Sequence, residues 1–283
     1  MLLQHYNHET NTLTLPDCFN AYIEDYPNSI KKIVFGRLFN QIVDNLPNSI
    51  IHLEFGIFFD KKVDNLPNSV THLVFSEYFN KSIKKLPKSL LYLRVGDFFN
   101  KKVDDLPKSL IQLRFGHSFN KNVDKLPEGL TFLVFGTKFN QTVDNLPDSL
   151  TDLTFGNEFD NLVDELPSSL INLTFGDGFN QPVDNLPDNL KYLVFGEKFN
   201  QKVDKLPQSI MHLVFGDKFN NKIDNLPSSL SYLVLKYDFA QIANNLPNNL
   251  KIMKVENKNL NYVKKIPFGC AVIDFYENTL VSG

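Results

Sequence analysis

Residues 150–169 read LTDLTFGNEFDNLVDELPSS, and the next twenty, LINLTFGDGFNQPVDNLPDN, repeat them position for position. The same 20-residue period runs from about Leu13 to Phe275. Phe19 to Phe239 recur twelve times at that spacing, and Pro27 to Pro267 account for 13 of the 15 prolines. A fixed short period is the signature of a solenoid, in which each unit buries its apolar side only against its neighbours.

Within one coil, Leu153-Thr154-Phe155 alternates inward, outward, inward, as a half-buried strand does. Leu150 precedes it on the inner side, Phe159 returns to the core, and Val163 and Leu166 fill it from the far side. Gly156, repeated in nine coils, permits either a positive φ or a close backbone approach where the chain leaves the strand. Seven residues separate Phe159 from Pro167, too few for a stable helix. That side is expected to be extended or a single 3₁₀ turn. The fold class is therefore mainly β: a solenoid of about 14 coils with strands centred on Leu13 to Ile273, one long parallel sheet, slight curvature and little or no helix.

Of the 26 phenylalanines, 22 fall in the columns of Phe155 and Phe159, and stacking predicts a continuous aromatic spine. The column after the second Phe is Asn in nine coils and Asp at Asp60 and Asp160. Its expected role is a side-chain ladder to backbone groups of the turn, in which an Asp, able only to accept, loses the donor half. The Asp164 and Ser169 columns suit short bonds to nearby amides. Three segments are expected: an N-terminal hairpin cap over 1–15 (with Leu2, Leu3, Tyr6, Leu13 and Leu15), the repeat solenoid over 16–255, and a degenerate coil and cap over 256–283. In the last, Ile266-Pro267 to Ile273-Asp274-Phe275 recovers the repeat once.

The motif Phe179-Asn180-Gln181-Pro182-Val183, with Leu-Pro-x-Ser-Leu, Phe-Gly and Phe-Asn-Gln recurring in register, resembles the FNIP repeats, a leucine-rich-repeat-like family of giant DNA viruses and social amoebae. The resemblance covers about residues 13–275 and implies a protein-interaction scaffold without catalytic residues. Viral relatives often carry an F-box ahead of the repeats. The stretch before the first coil is too short for one, so the resemblance implies no ligase recruitment here.

Net charge is −3, with no global basic field for nucleic acid. No run of about 18 apolar residues spans a membrane. Cys18 and Cys270 lie at opposite ends of the array, which argues against a disulfide framework and for an intracellular, cytoplasmic location, that of the host cell if the protein is viral. Three Asn-x-Ser/Thr matches, at Asn80, Asn140 and Asn172, are what so asparagine-rich a chain produces by chance. No phosphate loop, nucleophile elbow or metal motif is present, and ladders put like groups in rows where catalysis needs unlike groups converging. An enzyme is not expected, nor a cofactor, nor a metal.

Two surfaces stand out. The outward strand positions vary from coil to coil and are rich in Tyr, His and Arg: His52, His72, Tyr92, Arg94, Arg114, Phe132, Tyr192, His212 and Tyr232. Such residues favour a protein partner, although aromatic and β-branched side chains also suit any solvated sheet face. His52 and His72 beside Glu54 are too few for zinc. A second column, Leu38, Phe58, Tyr78 and Phe98, turns polar at Ser118 and Lys138. Exposed, it would form an apolar stripe able to join a homodimer; otherwise it lies under neighbouring loops. Lys61, Lys81, Lys101 and Lys121 make a basic ridge that Asp64, Asp104 and Asp124 can offset. A non-catalytic scaffold binding a protein partner is the leading reading, and a self-assembling structural protein the alternative.

Overall fold

The computed structural model describes residues 2–282. Met1, Gly283 and the side chains of Leu2, Leu3, Asn257, Lys258, Asn259 and Ser282, all assigned to the expected caps, lie outside the described residues.

The chain forms two compact units, residues 1–139 and 140–283. In the first, a 3₁₀ turn at Leu2–His5 leads to β1 (Tyr6–Asn7), antiparallel to β2 (Thr12–Thr14). Then β3 (Lys32–Val34), β4 (His52–Glu54), β5 (His72–Val74), β6 (Tyr92–Arg94), β7 (Gln112–Arg114) and β8 (Phe132–Val134) add in parallel. In the second, β9 (Asp152–Thr154), β10 (Asn172–Thr174), β11 (Tyr192–Val194), β12 (His212–Val214), β13 (Tyr232–Leu235), β14 (Ile252–Val255) and β15 (Ala271–Ile273) are parallel. The antiparallel β16 (Thr279–Ser282) closes it. The mainly β solenoid with a 20-residue period is thus the observed fold, and its register is strict: Leu53 faces Leu73, and Leu193 faces Leu213.

The reason for the register is burial. In each coil the central strand residue, the flanking Leu and both Phe columns are sequestered, as Leu193, Leu190, Phe195 and Phe199 are. A one-residue slip would turn all of these outward. Phe rings stack along the array at 6.0–6.4 Å in the second column, and at 3.6–4.2 Å between the two columns of one coil.

Although a 3₁₀ helix spans Asn257–Tyr262, among the described residues no α-helix forms on the far side. Reverse turns occupy it, closed by Leu126 N–H donating to the Val123 carbonyl and Ile50 N–H to Pro47. Another, Phe39 N–H to Gly36, turns the chain off the strand. The repeated glycine serves close approach. A Cβ on Gly116 would sit 2.3 Å from the Gly96 carbonyl oxygen, and among the described glycines a positive φ is found only at Gly269.

Three expectations need correction. The Asn ladder works through its acceptor half. Asn40 N–H donates to Asn20 Oδ1, Asn80 N–H to Asp60 Oδ1 and Asn180 N–H to Asp160 Oδ1, at 2.8–2.9 Å. Asp therefore substitutes without loss, because a carboxylate oxygen accepts as well as an amide oxygen. The donors come instead from the following residue, as when Gln201 Nε2 bonds the Asn180 carbonyl. Second, serine hydroxyls of this column donate to carbonyls of the preceding coil, as Ser169 does to Leu150 and Ser209 to Leu190, in place of capping amides, while Ser49 and Ser69 are buried without a partner.

Third, the last coil is one residue short. Met253 pairs with Val272, so Val272 points inward and Asp274 takes the place of a core Phe, with Phe275 outside the column. The buried Asp274 carboxylate accepts from Tyr276 N–H, Asn278 N–H and Asn278 Nδ2, and so holds the turn into β16. These bonds, the Asn278 amide foremost, hold its pKa below the usual carboxylate value.

Candidate interaction surfaces

A three-residue strand projects only its first and third side chains to the outside, so each coil contributes two residues to the outer face. Parallel in-register pairing then sets each such residue beside its equivalent about 4.8 Å away. Rings at these positions have little choice but to stack.

They do so in both units. His52 and His72 lie 5.6 Å apart and 4° from parallel, and Tyr92 continues the row 5.9 Å from His72. Tyr192, His212 and Tyr232 repeat the arrangement, with centroids 4.7 and 5.4 Å apart. Arg114 places its guanidinium 4.5 Å above the Phe132 ring. Arg94 stands exposed beside Arg114 in the adjoining strand. The nine face residues thus fall into one stack and an arginine–phenylalanine group in the first unit and a second stack in the other. Most are only partly exposed, because neighbouring rings cover each other's faces.

The histidines are not equivalent. Burial, and then the charges of Lys32 and His72, push the His52 pKa down, with Glu54 opposing them. Its Nε2 is buried without a hydrogen-bond partner, whereas His72 Nδ1 sits 2.9 Å from Thr71 Oγ1. Among the described residues, no group of three or more His, Cys, Asp or Glu could hold a metal ion.

The second surface is the Leu38, Phe58, Tyr78, Phe98 column. All four side chains are exposed, by 37–46%. Phe58 and Tyr78 stack at 5.2 Å, Tyr78 and Phe98 at 5.0 Å, and Arg37 lies 5.7 Å over Phe58. Turn geometry explains the exposure. These residues follow the glycine corner, where the chain swings outward, and their amides bond the corner of the preceding coil, as Phe98 N–H does to Glu77.

Sequence reasoning passed over two features. Ile51, Leu91 and Ile111, immediately before strands, are exposed by 37–45% and lengthen the outer face with apolar surface. The signal was present in the column of apolar residues between the two inward leucines. The other is a stretch without a single cation: between Lys138 and Lys191 there are ten Asp or Glu residues and no Lys, Arg or His.

Comparison with known proteins follows the same lines. The family described as FNIP Repeat matches residues 6–58, 59–98, 122–158, 139–177, 160–198, 179–205 and 199–238. No curated protein sequence shows significant similarity. Among solved structures the chain is similar to the giant-virus protein CroV588, described as a novel circular LRR protein structure, with 40% identity and a TM-score of 0.84. That match covers 95% of this chain and 44% of CroV588, so this chain spans less than half of that protein's length. It is also similar to YopM from Yersinia enterocolitica WA-314 (18% identity, TM-score 0.51, covering 96% of this chain and 75% of that one). The functional domain of InlJ from Listeria monocytogenes has 13% identity and a TM-score of 0.59, covering 95% of this chain and 60% of that one. The last two share the repeat fold alone.

Proposed function

The chain belongs to the FNIP repeat family, and we propose that it is a non-catalytic scaffold that binds a protein partner through the outer strand face. Repeat folds of this leucine-rich type commonly mediate protein–protein interaction and are usually non-catalytic. One observation carries the reading. Core columns hardly change from coil to coil, whereas the outer face mixes His, Tyr, Arg, Phe, Asp and Asn in rows of partly exposed rings. Rigid stacked aromatics and a guanidinium on a phenyl ring present large contact area at small entropic cost on binding. We place the protein in the cytoplasm, in keeping with its two free cysteines. Residues 1–15 and 256–283 act as caps on the repeats of 16–255.

The test is capture from native cells, using the intact chain and a Tyr92→Ala/Arg94→Ala/Arg114→Ala variant of matched thermal stability. A partner retained by the intact chain and lost by the variant supports the reading; identical capture by both refutes it.

A second reading rests on the exposed stripe. Leu38, Phe58, Tyr78 and Phe98 form a contiguous apolar strip on the first unit, and a two-fold dimer would set two such strips face to face. Phe58→Ser/Phe98→Ser should leave the fold intact and yield monomers by light scattering. A native chain that is already monomeric at high concentration excludes it.

A further inference from the structure

We infer that the chain also associates head to tail with a second copy of itself, a lysine ridge on the first unit of one copy seating on the acidic stretch of the second unit of another. The ridge consists of Lys61, Lys62, Lys81, Lys101, Lys102 and Lys121, all beside the Asn/Asp ladder and all at least partly exposed. Of these six lysines, Lys81 forms an ion pair among the described residues, with Asp60 at 2.6 Å. The fold does not require these charges. The equivalent positions in the first three coils of the second unit are Gln141, Thr142, Asn161, Leu162, Gln181 and Pro182, and lysine returns only at Lys202 and Lys222.

The aspartate column continues in other coils, at Asp44, Asp64, Asp104, Asp124, Asp204 and Asp224, but only over 139–190 is it free of neighbouring cations. Asp144, Asp164 and Asp184 form an exposed column, flanked by Glu165, Asp148 and Asp188, within the span that has no cation. Of the column, Asp184 alone meets a lysine, the exposed Lys205 at 3.6 Å. In the first unit the corresponding column keeps Asp44, Asp64, Asp104 and Asp124 but is interrupted by Lys84 and flanked by Lys85, Lys88, Lys108 and Lys125, so carboxylates there are mixed with cations, as they are not over 139–190.

Period decides the occupant. Lysines 20 residues apart and carboxylates 20 residues apart are both spaced by one strand separation, about 4.8 Å. Two surfaces of the same chain therefore match over several consecutive coils without either deforming. An unrelated acidic protein would share that spacing only by coincidence. A nucleic acid would be repelled by the acidic stretch and would find no aromatic residues interleaved with the ridge. Single exposed ion pairs contribute little, but a register-matched row acts as one electrostatic surface, sensitive to salt. Engaged one at a time, the two patches make a heterologous contact that leaves one free patch of each kind at the ends, so assemblies grow with concentration.

Sedimentation velocity over a concentration series, at about 20 mM and about 500 mM salt, tests this, since screening lengths differ severalfold between the two. The native chain should exceed monomer mass increasingly with concentration at low salt and be monomeric at high salt. Lys61→Gln/Lys101→Gln/Lys121→Gln copies the glutamine that Gln41, Gln141 and Gln181 carry in the same column, so the fold should hold. This variant, and separately Asp144→Asn/Asp164→Asn/Asp184→Asn, should be monomeric at both salts. Mixed, the two should form one-to-one pairs and nothing larger, since each keeps one intact patch. Phe58→Ser/Phe98→Ser should still associate, which separates this contact from the apolar stripe. A native chain monomeric at low salt overturns the inference, as does association that survives high salt or the lysine substitutions. The native salt series decides even if a variant misfolds.

Discussion

Removing one ring from the aromatic spine should be among the costliest single changes this chain can suffer. Phe199 is fully buried, stacked 3.7 Å from Phe195, with Phe179 and Phe219 each 6.1 Å away along the column. Phe→Ala in a core typically costs about 3–5 kcal/mol, the spread depending on how far the surroundings collapse. Here collapse is blocked. The rings on either side are held by their own coils, and coil separation is fixed by backbone hydrogen bonds at the strand spacing. Phe199→Ala should therefore fall in the upper part of that range, about 4–5 kcal/mol. Urea denaturation reads it, and the slope must be reported with the midpoint, because a repeat array can lose one region before the rest. Phe98→Ala is the comparator. Its ring is 46% exposed, so loss of the Tyr78 stack should cost no more than about 1 kcal/mol. A cost for Phe199→Ala below about 1 kcal/mol at unchanged slope, or equal costs for the two variants, would refute the reasoning.

Three further outcomes are expected. Gly116→Ala should destabilise by well over 1 kcal/mol, since its methyl would meet the Gly96 carbonyl at 2.3 Å, whereas Gly129→Ala, whose nearest atom is 3.5 Å away, should be neutral or stabilise by up to about 1 kcal/mol; thermal melts of the pair decide. Asp160→Asn should be silent, because either oxygen accepts from Asn180 N–H, while Asp160→Ala should cost about 1–3 kcal/mol if that amide is left unpaired, read by urea titration and by faster exchange of the Asn180 amide. The depressed pKa of His52 means that the folded state prefers the neutral ring. Its contribution to stability is thus present above the unfolded value of about 6.5 and is lost as pH falls from there towards the folded pKa; His52→Gln should flatten the fall in stability between about pH 7.5 and 5.5.

How much of this was legible depended on whether a position is decided by its own column. Leu153, Phe155 and Phe159 were, because an inward apolar residue meets only its own kind, and a column of identical letters reports a buried row. Direction within the ladders was not. Asn20 and Asn40 show that a side-chain amide is involved, but whether oxygen or nitrogen does the work depends on which backbone group the next coil presents. The last coil misled for a related reason. Ile273 and Phe275 match the repeat by type at the expected spacing, yet Val272 takes the inward place and Asp274 the core position, because the chain must also turn into β16 through Asn278. An end is governed by what closes it as well as by the neighbour it continues.

The same logic guides the proposed function. In a stacked array most residues face their own equivalents, so a charge repeated in every coil opposes itself and is tolerated only where solvent screens it. A repeat that merely persists therefore carries fold. On the proposed reading, specificity resides where the repeat departs from itself in a block several coils long, since a single deviant side chain offers one contact and a block offers a surface. Three such blocks exist: the varied rings of the strand face, the apolar strip that ends before Ser118, and the paired change of sign between Lys61–Lys121 and Asp144–Asp188. None is demanded by the core, because neighbouring coils with other residues at these positions keep the same buried leucines and phenylalanines.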